Sequence, residues 1–189
     1  MNRSNASKKV GSPAFQTDEK NNMLLGLIRS IIILPGTVLV FIPSLLLWIS
    51  WKLPCYAGPT HFSDARFWVG AMFLLAGLIL AIWTVRLQLS LGKGTPAPWD
   101  PAVELVIQGP YRHTRNPMIT GAFFVLIGEA LVFQSWLIAG WFIVFWLANL
   151  IYIPFVEEVQ LKERFGDTYL DYVSQVPRWI PRLRLHKNA

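Results

Sequence analysis

Charge and cysteine are both scarce in this sequence. Only 15% of its residues are charged, whereas soluble domains average about 25%. Cys55 is the sole cysteine, so no disulfide can form within the chain. Because 53% of the residues are apolar, the composition also differs from that of a charge-rich disordered chain. A disulfide scaffold, a disordered chain and an ordinary soluble domain are therefore excluded.

Charges are absent or nearly absent from two long stretches. Residues 67–85 carry none, and residues 118–156 carry only Glu129. At about 1.5 Å per helical residue, such runs are long enough to cross a bilayer. The sequence therefore predicts an all-α integral membrane protein with about four transmembrane helices. We expect them near residues 24–51, 67–89, 118–133 and 135–156.

Breaks between these helices are also visible in the sequence. Phe133-Gln134-Ser135 divides the long apolar stretch, which predicts a helical hairpin, and Pro154 should disturb the last turn of the fourth helix. Loop 90–117 is rich in Gly and Pro, so it should contain at most a short strand at 103–107. We expect residues 1–22 to be a disordered tail and 23–189 to form a single membrane domain with a C-terminal segment at 157–189.

The basic residues indicate how the chain lies in the membrane. Fourteen of the 17 lie in the tail, around the long loop or in the C-terminal segment. Cytoplasmic segments carry an excess of Lys and Arg, so both termini and the loop should be cytoplasmic. The net charge of +6 then reflects orientation, and we expect no nucleic-acid partner. Because no metal-ligand spacing is present, no metal is expected either.

Polar residues of both charge signs gather at the predicted cytoplasmic end of the hairpin. The hairpin brings the start of the third helix beside the end of the fourth, so Arg115 should lie close to Glu157 and Glu158. The start of a helix also presents unpaired N–H groups and a positive dipole end. A pocket of this kind suits a zwitterionic cofactor such as S-adenosylmethionine.

Several motifs in the second half of the chain resemble a known family. They are Gly109-Pro110-Tyr111-Arg112-His113-Thr114-Arg115-Asn116-Pro117-Met118 with Gly121, then Glu157-Glu158, then Phe165-Gly166-Asp167-Thr168-Tyr169, Tyr172 and Val176-Pro177-Arg178. In this order they resemble the isoprenylcysteine carboxyl methyltransferase family, which belongs with the phospholipid N-methyltransferases. The loop at 94–101 resembles a bacterial branch, which implies the bacterial inner membrane.

The resemblance implies an integral-membrane enzyme that uses S-adenosylmethionine. Its methyl acceptor would be a lipophilic molecule that reaches the enzyme through the membrane lipids. An isoprenylcysteine-type carboxylate is the acceptor that the resemblance favours first. Arg115 and Glu158 are the catalytic candidates that the resemblance implies. The implied cofactor shell comprises Tyr111, Arg115, Asn116, Pro117, Met118, Gly121, Glu157, Glu158, Tyr169 and Tyr172.

Two positions depart from the family pattern, and three other functions stay open. Asn116 stands where the family often has His, and Ile119 where it often has Tyr. An amide can hydrogen-bond but cannot act as a base near neutral pH. One alternative is methylation of a phospholipid amine or a small thiol. Another is an NADPH-dependent sterol-type reductase, in which an acid usually follows the glycine where Ala122 stands here. The last is a non-catalytic membrane scaffold.

Overall fold

The computed structural model describes residues 32–54, 56–92 and 103–181. The predicted disordered tail, the beginning of the first span, residues 93–102 of the loop and residues 182–189 lie outside the described residues. Within the described part, the regular elements are all helical. The predicted fold class is confirmed to that extent.

The helices of the described residues are π Ile32–Phe41, α1 Ile42–Ser50, α2 Ala65–Leu91, α3 Pro117–Val132, α4 Trp136–Tyr152, the π turn Ile153–Glu157, α5 Glu158–Phe165 and α6 Asp167–Gln175. The π-helix continues directly into α1, and α4 passes through the π turn into α5. A 3₁₀ turn at Gly109–Arg112 precedes α3.

Residues 103–107, the part of the loop that could have formed a short strand, form none in the structure. The backbone N–H groups of Val103 and Glu104 both donate to the carbonyl of Gly92, at 2.8 and 3.2 Å. The segment therefore folds back on the end of α2, and no strand pairs with it in the described ranges. Leu105 and Ile107 instead pack against side chains of α6.

The break between α3 and α4 lies where the sequence predicts it. Gln134 adopts a positive φ of 48°, which ends the helical path. The Ser135 hydroxyl then accepts the N–H of Ile138 and caps α4. Pro154 lies inside the π turn that ends α4, as expected for a residue without an N–H group to continue the helical ladder.

The helices α2 and α3 pack closely through two pairs of glycines. A Cβ atom on Gly77 would lie 2.6 Å from the carbonyl oxygen of Gly121, and one on Gly128 would lie 2.7 Å from that of Gly70. Small residues let two helix backbones approach one another, as is common between helices in membranes. The glycine pairs therefore fix the distance between α2 and α3, and with it the position of the start of α3.

Among the residues that the structure describes, two helices are long and apolar enough to cross a membrane: Ala65–Leu91 and the continuous Trp136–Phe165. Only 17% of the apolar window of each is buried within the protein, and Trp68 and Met72 of α2 are among the large exposed side chains. Such a surface is unfavourable in water but suits contact with lipid. The apolar helices Pro35–Ser50 and Pro117–Val132 are shorter, so the number of four spans stays a prediction.

Candidate functional site

A cleft lies where the end of α2, the start of α3 and the α4–α5 junction meet α6. Its wall combines aromatic, acidic and basic side chains with apolar ones from the segment that follows the long loop. The lining residues are Gln88, Glu104, Leu105, Val106, Tyr111, Arg115, Asn116, Glu157, Leu161, Phe165, Tyr169 and Tyr172.

The helix α6 forms one wall of the cleft. Gly166, with φ of 54°, ends α5 and lets the chain turn into α6. Tyr169 and Tyr172 are then buried together with Val176. The hydroxyl of Tyr172 donates to the carbonyl oxygen of Tyr111 at 2.7 Å. This bond connects α6 to the 3₁₀ turn before α3.

Residues 176–179, which we name the strap, run back along the start of α3. The backbone N–H of Arg115 donates to the carbonyl oxygen of Pro177 at 3.0 Å. The Thr114 hydroxyl donates to the carbonyl oxygen of Arg178 at 2.8 Å. The ring of Trp179 lies 5.6 Å from that of Phe123, measured between centroids. Backbone and side chains of the strap are thus both attached to the segment that carries Arg115.

Glu158 joins Arg115 and Arg178 in an arrangement that we name the clamp. Its Oε1 accepts from Arg115 Nη1 at 2.7 Å and from Arg178 Nε at 2.8 Å, and its Oε2 accepts from Arg178 Nη2 at 2.7 Å. The side chains of Arg115 and Glu158 are only 12% and 16% exposed. Charge-assisted bonds in such a partly buried place are stronger than those on an open surface. The predicted proximity of Arg115 and Glu158 is confirmed.

Glu157, the neighbour of Glu158, is a half-buried residue of the cleft wall. No hydrogen bond or ion pair engages its carboxylate within the part of the chain that the structure describes. Adjacent helical residues point about 100° apart, which is why one glutamate reaches the arginines while the other borders the cleft. Glu157 therefore contributes a carboxylate that no described side chain neutralises.

The phenols of the cleft stay protonated at neutral pH. Burial raises the pKa of Tyr111 to about 12; the hydrogen bond from Gln88 acts against this rise and the charge of Glu157 adds to it. Burial also raises the pKa of Tyr169 to about 12, and Glu158 acts in the same direction. A neutral phenol is a hydrogen-bond donor and not a base. These side chains can orient a ligand without taking a proton from it.

Two buried donors beside the cleft have no hydrogen-bond partner among the residues that the structure describes. They are Nδ2 of Asn116, a residue only 7% exposed, and Nε of Arg115. Buried polar groups are nearly always hydrogen-bonded, and leaving one unpaired costs about 1–3 kcal/mol. Since both residues line the cleft, unpaired donors here are typical of a site that binds a ligand with acceptor atoms.

The predicted shell residues divide into two groups. Six of the ten line the cleft: Tyr111, Arg115, Asn116, Glu157, Tyr169 and Tyr172. Glu158 lies in the clamp. Pro117 is buried at the first turn of α3, Met118 follows it, and Gly121 packs against Gly77 and Ala81 of α2. The binding and catalytic roles of all ten stay predictions.

Sequence reasoning left Gln88 and Arg178 out of the shell. Gln88 donates to the hydroxyl of Tyr111 at 3.1 Å, and Arg178 is the second arginine of the clamp. A polar Gln near the end of an apolar span was a signal for the first. The second stood within the Val176-Pro177-Arg178 motif, yet nothing in the sequence pairs it with Glu158.

Comparison with known proteins identifies the family. The phospholipid methyltransferase family matches residues 65–168, which is more than half of the chain and includes Arg115, Glu157 and Glu158. The chain belongs to this family. The family predicted from the motifs is thereby confirmed. No curated protein and no solved structure matches the chain.

Membership makes the chain a membrane methyltransferase whose substrates are lipid-like. The matched region begins at the start of α2 and ends at Thr168. Tyr169, Tyr172 and the strap therefore lie beyond it, and their connection with the site rests on the contacts described above. Within the described residues, no group of three or more His, Cys, Asp or Glu side chains is placed to hold a metal ion.

Proposed function

We propose that the cleft binds S-adenosylmethionine and that the protein transfers its methyl group to a lipophilic acceptor from the membrane. The observation that carries this proposal is the combination of an unneutralised carboxylate, Glu157, with the unpaired buried donors of Asn116 and Arg115. S-adenosylmethionine has an ammonium group, a carboxylate and an adenosine with several acceptors. The residues present fit a ligand of that kind.

The chain's own residues would bind and orient the reactants. When bound, S-adenosylmethionine supplies an electrophilic methyl group, so the protein's contribution is mainly alignment and electrostatics. Glu157 would contact a cationic group of the cofactor, and Asn116 and Arg115 would donate hydrogen bonds to its oxygen or nitrogen atoms. The neutral phenols of Tyr111 and Tyr169 would donate hydrogen bonds and, with Phe165, form an aromatic rim.

An isoprenylcysteine-type carboxylate is the first acceptor that we propose. A carboxylate already carries its nucleophilic oxygen unprotonated near neutral pH, so it needs alignment and desolvation but no general base. The phenols of the cleft are poor bases and Asn116 cannot take a proton, and with this acceptor Glu157 would only contact the cationic group of the cofactor. Arg115 would orient the acceptor by hydrogen bonds to its carboxylate.

A phospholipid amine is the second candidate acceptor. An ammonium group must lose a proton before it can attack, and Glu157 would take that proton as a general base. The family description, phospholipid methyltransferase, favours the same acceptor. A small thiol is the third candidate acceptor.

Family membership argues against the NADPH-dependent reductase, and the unneutralised carboxylate of Glu157 argues against a scaffold whose pocket has lost its function.

A labelled-methyl transfer assay tests the proposal. The purified protein in lipid nanodiscs is incubated with methyl-labelled S-adenosylmethionine and fractionated lipid extracts, and label is followed into methyl esters or into methylated amines. Binding of S-adenosylmethionine and of NADPH is measured in parallel by calorimetry. We expect binding of the first cofactor only. Binding of NADPH alone, or of neither cofactor by a folded protein, would refute the proposal.

Site variants connect the activity to the cleft. Arg115→Ala and Glu158→Ala should each weaken S-adenosylmethionine binding by about tenfold or more, the scale of a charge-assisted hydrogen bond. The matched control is Glu163→Gln, because Glu163 is an exposed glutamate of α5 and should leave the affinity unchanged. Unchanged affinity in both site variants would remove the cleft from consideration.

A further inference from the structure

A shallow groove of about 250 Å³ lies on the outer face of α2, and we name it the α2 groove. It is lined by Ile79, Ile82, Trp83 and Arg86, and none of these residues lines the cleft. Pockets that enclose a small molecule have about 300–1,000 Å³. The α2 groove is smaller and is formed by one helix, so it suits a chain that lies along the helix.

The α2 groove is apolar along most of its length and ends at a cation. Ile79, Ile82 and Trp83 are 56%, 52% and 51% exposed. Arg86 follows at the end of α2 that reaches the cleft, where Gln88 is part of the cleft wall. At about 1.5 Å per residue, Ile79 and Arg86 are about 10 Å apart along the helix. The polarity of the groove therefore has a direction, from apolar to basic.

The guanidinium of Arg86 carries an uncompensated charge. Arg86 is exposed, and no carboxylate of a described residue forms an ion pair with it. Arg66, at the other end of α2, is paired with Asp64 at 3.0 Å. Trp side chains are enriched at the membrane–water interface, and Arg near a helix end reaches it. An unpaired cation at that level attracts an anionic lipid headgroup.

The wall of the α2 groove is held in place by the 3₁₀ turn before α3. A Cβ atom on Gly109 would lie 3.3 Å from Cζ2 of Trp83 and 2.9 Å from Cδ1 of Leu87. The indole of Trp83 therefore packs against this turn, while half of its surface stays exposed. Residues 86 and 88 point about 200° apart on the helix. The α2 groove and the cleft thus lie on different faces of the same helical segment.

We propose that the α2 groove binds a phospholipid with an acidic headgroup. Arg86 binds the phosphate, and the three apolar residues contact one acyl chain that runs towards the middle of α2. An acidic headgroup is favoured over a zwitterionic one, because choline would place a second cation near Arg86. This lipid is distinct from the methyl acceptor, since the groove residues do not line the cleft. The inference does not depend on S-adenosylmethionine.

Photo-crosslinking locates the lipid on the protein. The full-length protein is placed in nanodiscs of phosphatidylcholine that contain a small fraction of phosphatidylglycerol with a photoreactive acyl chain. After irradiation, peptide mass spectrometry measures the label on residues 79–86. The internal reference is the label on α4, a helix that is apolar and has no charged residue. The ratio of the two separates the proposed site from ordinary lipid contact.

The original protein should carry about fivefold more label in the α2 groove than on α4, the scale of one basic residue acting on an anionic lipid. R86Q should reduce the ratio to about one. R86K should keep most of the label, because lysine retains the charge. The matched control R66Q should leave the ratio unchanged, since Arg66 is already paired with Asp64.

A second pair of variants tests the contact with the acyl chain. I82A should lower the label about threefold, because it removes apolar surface that the lipid covers. L75A is the matched control, because Leu75 is an equally exposed residue of α2 outside the groove, and it should change little. Thermal unfolding of each variant verifies that it is folded.

Competition with unlabelled lipid decides whether the headgroup charge matters. Unlabelled phosphatidylglycerol should displace the label from residues 79–86, and additional phosphatidylcholine should not. Equal displacement by both lipids, or equal label on the groove and α4, would refute the proposed site. Undiminished label in R86Q would refute the role of Arg86, as would an equal loss in R66Q, which would indicate an effect of net charge alone.

Discussion

The close contact between α2 and α3 predicts that substitutions of Gly77 and Gly121 reduce stability. Comparing stability with ligand affinity then shows whether Gly121 serves helix packing or cofactor binding. A Cβ atom on Gly77 would lie 2.6 Å from the carbonyl oxygen of Gly121 and 2.8 Å from the backbone nitrogen of Val125. Both obstacles are backbone atoms, so no side-chain rotation relieves the overlap. We expect Gly77→Ala to force the two helices apart.

The size of the effect follows from two opposing contributions. Overpacking of a tight interface typically costs about 1–3 kcal/mol, while replacing a helical glycine by alanine contributes about 1 kcal/mol of helix propensity. For Gly77→Ala the net expectation is a loss of about 0–2 kcal/mol. Gly121→Ala, whose Cβ would lie 3.0 Å from the carbonyl oxygen of Gly77, should lose less.

Gly140 provides a matched control on α4. A Cβ atom there would meet nothing within 4 Å, so Gly140→Ala should be neutral or should stabilise the protein by up to about 1 kcal/mol. Unfolding by denaturing detergent, followed by circular dichroism, gives the three free energies. If Gly77→Ala is as stable as Gly140→Ala, the described approach of α2 and α3 is wrong. If Gly121→Ala keeps its stability but loses ligand affinity, Gly121 belongs to the cofactor shell.

Three further predictions concern the cleft. Asn116→Leu removes an unpaired buried amide, so the ligand-free protein should stay as stable as before. Calorimetry should show S-adenosylmethionine binding weakened about tenfold. A loss of stability as large as the loss of binding free energy would contradict an amide that faces the ligand. The pKa of Tyr111 is raised to about 12, so its contribution to stability should be fully present below pH about 10 and lost towards pH 12. In Tyr111→Phe the melting temperature should therefore fall less between these two pH values than in the original protein. An equal fall in both proteins would contradict the raised pKa. Arg178→Gln should weaken binding without altering the pH dependence of turnover, since Arg178 supports Arg115 through Glu158; a changed pH profile would make it part of the chemistry.

Much of the helical framework was predictable, because it follows from where charge is absent. The charge-free run at 67–85 lies within α2, and the break before Trp136 was marked by Gln134 and Ser135. Proximity of Arg115 to Glu158 followed from the hairpin alone. These predictions succeed because a long apolar helix and its neighbour are constrained mainly by length and polarity.

Contacts that depend on a change of chain direction were not predictable. The pairing of Arg178 with Glu158 requires the turn at Gly166 and the return of the strap, and no spacing in the sequence encodes that path. The path of residues 103–107, which could have formed a short strand, was not predictable for a related reason. Its apolar side chains are covered by α6, so that segment needs no strand partner. The packing of Gly121 against Gly77 was not predictable either, because the two glycines are distant in the sequence.

The π turn at Ile153–Glu157 determines the helical phase of everything that follows it. A π turn contains more residues than an α turn, and each residue added or removed rotates the subsequent side chains by about 100°. An uninterrupted α-helix through Pro154 would present a different residue to Arg115 and another to the cleft. The choice of which glutamate meets the arginines is thus made one turn earlier, by the proline that disturbs the helix.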